Sequence, residues 1–114
     1  MKALVMPASG PPRAVDLPGG GGTRFMQQLR ALIGTRCAER IRVTTRWEAW
    51  VDEDGTAAGK PSNQAATLLV RSFGARFSLC GTVVVTGLDD TAGPAALSPD
   101  EASAILERIR APAA

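Results

Sequence analysis

The chain has 114 residues, a length that suits one domain whose core needs neither disulfides nor a metal. Lysine and arginine exceed aspartate and glutamate by only two, so net charge alone does not indicate nucleic-acid binding. Residues 1–48 carry eight basic and three acidic side chains, whereas residues 49–114 carry five basic and eight acidic ones. No apolar run approaches the roughly 20 residues of a membrane span, and the N-terminus lacks a secretion signal. We therefore expect a cytoplasmic protein.

The first part of the chain predicts two strands and a helix. Lys2–Met6 and 13–17 are short strands on either side of a proline-rich turn. The connector at 18–22 is rich in glycine but lacks the spaced motifs that bind phosphate. Thr23 is predicted to cap a helix whose apolar residues recur at helical spacing until Gly34.

An apolar period of two then predicts an extended segment over 36–48. The apolar side chains on one side of it are Ile41, Val43 and Trp47. The arginines in a row on the other side are Arg40, Arg42 and Arg46. This row is either a charged, solvent-facing surface or a face that binds a nucleotide, a nucleic-acid backbone or an acidic protein.

The next stretch contains both tryptophans and an acidic turn. Residues 47–51 either end the preceding strand or form a separate one after a bend at 44–45. The Asp-Gly pair at 54–55 predicts a hairpin turn. Trp50 has the opposite parity to Trp47, so one indole faces the core and the other packs across strands or faces a groove. The acids lack the spacing of a calcium loop.

A turn at 59–63 precedes a predicted helix over 64–73. Either Ser62 or Asn63 can cap this helix. Its free backbone amides, beside Lys60, would favour an anion.

The last elements are a buried strand and a capped helix. The uncharged, β-branched run 79–87 predicts the strand; at a sheet edge it would pair with its copy in a homo-oligomer. A capping box at 98–101 opens a helix that reaches Ile109, and 111–114 should fray. The element order β-β-α-β-β-α-β-α predicts a single α+β domain over 1–110. It would have an antiparallel or mixed sheet of about five strands, with three helices packed on one face.

Missing residue types argue against catalysis. Histidine and tyrosine are absent, which removes the commonest general base and transition-metal ligand. Cys37 and Cys80 are expected to be buried free thiols, unless their strands are neighbours close enough for a disulfide. We predict no enzyme activity, no metal and no cofactor.

The chain resembles the family catalogued as domain of unknown function 3846. The resemblance lies in the opening KALVM strand, a helix end at 29–34, the segment DEDGTAAGKPSNQAAT, and CGTVVVTGLDD followed by LSPDE. It implies an accessory protein of a phage or plasmid. The frequent arginine, alanine, glycine and proline are typical of a GC-rich genome, such as an actinobacterial host.

Two functional hypotheses follow. The first is a binding protein that captures a small anionic ligand, such as a nucleotide signal, or a host protein, in the manner of counter-defence proteins. The alternative is a nucleic-acid-binding regulator that uses the arginine row. The predicted ligand-binding residues are Arg40, Arg42, Arg46, Trp50, Lys60, Ser62 and Asn63.

Overall fold

The structure, a computed structural model, describes residues 1–110 and confirms the predicted α+β class. The strands are β1 (Lys2–Met6), β2 (Arg13–Asp16), β3 (Ala38–Arg42), β4 (Trp47–Asp52), β5 (Val83–Leu88) and β6 (Pro94–Ala95). The helices are α1 (Thr23–Ile33), α2 (Gln64–Ser72) and α3 (Pro99–Arg110). The two-residue β6 is the one element that the sequence did not predict. The fraying predicted for 111–114 lies outside the described residues.

All strand pairs are antiparallel, in the order β2-β1-β5-β4-β3, with β6 paired to the end of β5. β5 therefore lies inside the sheet, between β1 and β4. Pairing of copies through 79–87 is expected only if this strand lies at a sheet edge, and that condition is not met because both sides of β5 are occupied.

Helices cover both faces of the sheet, so the prediction that they pack on one face is also wrong. One core lies under α2 and α3 and contains Met6, Trp47 and Val85. The other lies under α1 and contains Val5, Trp50 and Val84. β1 and β5 are apolar at successive positions, so each strand carries apolar side chains on both faces, and both faces must be buried.

A hairpin joins β3 to β4 through 43–46, so of the two alternatives for 47–51 the structure shows a separate strand after a bend near Thr44. The Thr44 hydroxyl accepts hydrogen bonds from the backbone amides of Arg46 (3.0 Å) and Trp47 (3.1 Å), and this turns the chain. The hairpin predicted at 54–55 is wrong. Because β4 already has β3 and β5 as neighbours, the chain beyond it cannot return alongside, and successive turns lead to α2 instead.

Helix ends follow the predicted signals with one exception. Gly34 adopts the left-handed conformation (φ 76°) and ends α1, and the Ser98 hydroxyl accepts from the Glu101 amide at the start of α3 (3.1 Å). Thr23 is the first residue of α1 rather than its cap, since Gly22 occupies the cap position without a side-chain bond.

Both cysteines are free, but Cys37 is exposed rather than buried and Cys80 is half-buried. None of the helices within residues 1–110 combines the length and apolar character needed to cross a lipid bilayer.

Gly87→Ala should destabilise the fold by about 2 kcal/mol, because overpacking a tight contact costs this order of free energy. A Cβ at Gly87 would overlap the carbonyl of Ala96 and lie 3.2 Å from that of Ala95, in the segment that pairs with β5. Urea denaturation measures the change. Gly19→Ala, where a Cβ meets no atom within 4 Å, is the control, and an equal effect of the two substitutions would contradict the prediction.

Candidate functional site

Asn63, predicted as a ligand residue, is fully buried and makes three hydrogen bonds inside the protein. Its side-chain oxygen accepts from the Ala66 amide (3.0 Å), which caps α2. Its amide nitrogen donates to the carbonyls of Met6 and Gly81, both at 2.9 Å. These bonds use both N–H groups and the oxygen, so Asn63 joins α2 to the sheet and presents no donor to a ligand.

Lys60, also predicted to bind a ligand, ties the turn before α2 to the end of α1. Its ammonium group donates to the carbonyls of Ile33 (3.2 Å) and Gly34 (3.0 Å), and it lies 2.7 Å from the Asp52 carboxylate. A cation at a helix C-terminus also interacts favourably with the negative end of the helix dipole. The Lys60 hydrogen bond, helped by the Asp54 amide and the Thr35 hydroxyl, holds the pKa of Asp52 below its usual value.

Trp50 lies on the opposite face from Trp47, as its parity predicts, but it is buried rather than open to a groove. Its ring packs edge-on against Phe25 of α1, with centroids 5.7 Å apart. Its indole N–H donates to the Thr86 hydroxyl at 3.0 Å. Of the two alternatives for Trp50, the structure therefore shows packing.

Arg40 forms an ion pair with Glu48, whose side chain is only 1% exposed. The Arg40 Nε and Nη2 atoms donate to both carboxylate oxygens at 2.8–3.0 Å, and Nη2 also donates to the Ala92 carbonyl (2.7 Å). The guanidinium carbon lies 5.0 Å from the centre of the Trp50 ring. Burial raises the pKa of Glu48, and Arg40 and Arg42 oppose this rise.

The other three predicted residues, Arg42, Arg46 and Ser62, are exposed, and the structure does not bring them together. Arg42 shares the α1 face with Arg40, next to Glu48. Arg46 lies in the β3–β4 turn, 3.5 Å from Glu101 of α3 on the other face. The arginine row expected for a continuous strand is thus broken by the turn at 43–46.

Ser62 belongs to a groove that runs along α2, which we call the α2 groove. It has a volume of about 320 Å³ and lies between α2 and the irregular segment that leads to β5. Its lining residues are Ser62, Gln64, Thr67, Leu68, Arg71, Ser78 and Leu79. Asn63 fixes one wall by capping α2, and the Thr67 hydroxyl fixes the other by accepting from the Leu79 amide (2.9 Å).

The α2 groove is basic. Arg71 donates to the Ser78 hydroxyl across the groove (2.9 Å), and it also lines an adjoining open depression with Arg76. Arg108 of α3 lies 4.2 Å above the Phe73 ring at the same end of α2. The chain has no acidic residue between Asp54 and Asp89, so the segments that form the groove supply only positive charge. We call the groove together with Arg76 the α2 surface.

The family model of the domain of unknown function DUF3846 matches residues 1–110. The chain belongs to this family. No curated protein and no solved structure matches it significantly. The resemblance seen in the sequence is thereby confirmed.

Sequence reasoning missed Leu68, Arg71 and Arg76. Two features of the sequence bear on them: the long acid-free stretch from Gly55 to Leu88, and two adjacent leucines in α2, of which Leu69 faces the core and Leu68 does not. Residues that looked functional, Lys60 and Asn63, drew attention instead because they sit at a helix start.

Asn63→Ala should lower the free energy of unfolding by about 3 kcal/mol, because it removes a helix cap and leaves two buried carbonyls without their donor. Ser62→Ala, one residue away and exposed, should change it by less than about 0.5 kcal/mol. Chemical denaturation of both variants checks this. Equal, small losses would show that the buried network contributes little and would return Asn63 to the ligand candidates.

Arg40→Gln should cost about 2 kcal/mol at neutral pH, since it leaves Glu48 buried without its partner while solvent reaches part of the site. A raised folded pKa means that Glu48 favours the folded state below its ordinary pKa and loses this contribution as the pH rises through the folded value. Loss of Arg40 raises that pKa further, so the destabilisation should shrink as the pH falls and Glu48 protonates.

The measurement is urea denaturation between neutral and acidic pH. Lys2→Gln, which breaks the exposed pair with Asp16, is the control and should have little effect. A cost of Arg40→Gln that stays constant over the whole pH range would show that Glu48 is not the group responsible.

Proposed function

We propose that this protein is a non-enzymatic binding protein and that an anionic partner docks on the α2 surface. The observation that carries the proposal is the exposed Leu68 in the same groove as Arg71, which also lines the adjoining depression with Arg76, in a part of the chain that has no acid. The sequence has no histidine, the commonest general base near neutral pH, and no tyrosine, which argues against enzyme activity.

The shape of the surface favours a macromolecular partner over an enclosed small ligand. The α2 groove continues through Arg71 into the depression at Gly74–Arg76, so it forms a track along the surface rather than a closed cavity. Among the residues first expected to hold a small anion, Lys60, Asn63 and Trp50 are engaged inside the protein. A nucleotide would therefore have only exposed side chains to hold it.

The proposal extends to biological setting. We propose that the protein is an accessory protein of a phage or plasmid that binds a component of its host, and a host protein with an acidic segment fits the α2 surface. Counter-defence against the host is one role such binding would serve. Nucleic acid is the competing partner, since phosphates also bind arginine.

The test uses fluorescence anisotropy or calorimetry to measure how tightly the full chain binds poly-glutamate, a DNA oligonucleotide and each of a panel of nucleotides. Poly-glutamate binding should fall about tenfold in the double variant Arg71→Gln, Arg76→Gln, because two charge-assisted contacts are lost. It should persist in the matched double variant Arg42→Gln, Arg46→Gln, which removes the same charge elsewhere.

Equal weakening in both variants would mean that net charge alone attracts the polymer, and the proposal that the partner docks on the α2 surface would be wrong. Binding of DNA in preference to poly-glutamate, with a steep salt dependence, would favour the nucleic-acid alternative. Tight binding of one nucleotide would favour a small ligand.

A further inference from the structure

We propose that the partner is an acidic protein segment that seats a large apolar side chain between Leu68 and Leu79 while its carboxylates pair with Arg71 and Arg76. The inference rests on the proposed function, since it specifies what occupies the same α2 surface. It goes beyond charge by assigning the surface an apolar anchor point.

Leu68 is the first support for such an anchor. Its side chain is 63% exposed, and within residues 1–110 only Leu68 and Phe77 (48%) are large apolar side chains left open to solvent. Leu68 lines the groove from the middle of α2, and the opposite wall includes Leu79, a core side chain that is 5% exposed. An apolar side chain inserted between them would be removed from water on both sides, which drives binding.

The positions of the charges set where carboxylates can sit. The Ser78 hydroxyl accepts a hydrogen bond from Arg71 and so holds its guanidinium at the groove edge, ready to pair with a carboxylate. A second groove lies on the other side of Ser78 and Leu79, and its lining includes Glu39, Asp52 and Glu53. An acidic partner is repelled there and attracted to the α2 side, so the two grooves fix its placement.

The same arrangement disfavours nucleic acid. Binding of single strands relies on aromatic rings that stack with bases beside a basic track. Phe77, the one exposed large aromatic side chain in the described part of the chain, lines the acidic groove and not the α2 groove. Phosphates drawn to Arg71 would therefore find no ring to stack on, whereas Leu68 and Leu79 suit an aliphatic or aromatic side chain of a protein.

The experiment compares two polymers on the full-length chain: poly-glutamate and a random copolymer of glutamate and tyrosine, at equal concentration of carboxylate. The copolymer should bind about tenfold more tightly, because one buried aromatic side chain contributes that order of affinity. Leu68→Lys should abolish this preference without weakening poly-glutamate, since it removes the apolar anchor and adds a positive charge on an exposed helix position.

Three results would overturn the inference: equal binding of both polymers to the unmodified protein, a preference that survives in Leu68→Lys, or self-association that Leu68→Lys abolishes, which would make a second copy the occupant. Failure of the proposed function looks different. In that case neither polymer binds, or both polymers bind the Arg71→Gln, Arg76→Gln variant as tightly as they bind the unmodified protein. Sedimentation velocity of the protein without polymer gives the oligomeric state. The control for the charge that Leu68→Lys adds is Ala31→Lys, which places a lysine on the exposed side of α1.

Discussion

The fold depends on one buried amide. Asn63 links the end of β1, the segment before β5 and the start of α2 through three hydrogen bonds, with no exposed surface of its own. A buried amide that lacked any of these partners would cost free energy, so the three elements are held in one arrangement. The position of α2, and with it the walls of the α2 groove, follows from this residue. The proposed docking surface thus depends on Asn63, a side chain that is itself fully buried.

Two charged side chains also connect elements that are distant in the chain. Lys60 joins the turn before α2 to the C-terminus of α1, and Arg40 joins Glu48 to the loop at Ala92. Both cations are largely neutralised by carboxylates within 3 Å. Because their charge is used inside the fold, the anionic partner that we propose would have to pair with Arg71 and Arg76, which lie in a stretch of the chain without acids.

The two grooves on either side of Ser78 and Leu79 differ in charge. The acidic one lies against β3, and the basic one lies against α2. An irregular segment, rather than a strand, separates them because residues before Val83 have no free strand to pair with apart from the single bridge at Ser62. Arg76, Phe77 and Ser78 of this segment are consequently exposed, whereas Leu79 is buried in the core.

The sequence by itself determined the secondary structure types, the family, the cap at Ser98 and the opposite placement of the two tryptophans, and it narrowed the cap of α2 to Ser62 or Asn63. These features depend on local signals: alternation of apolar residues, capping side chains and glycine at a positive φ. Only the tertiary structure decided that α1 lies on the other face, that Trp50, Lys60 and Asn63 serve the interior, and that the arginine row is broken. Such outcomes depend on which strands become neighbours and which polar groups meet inside the core. Residues far apart in the chain supply those partners, so no local pattern contains them.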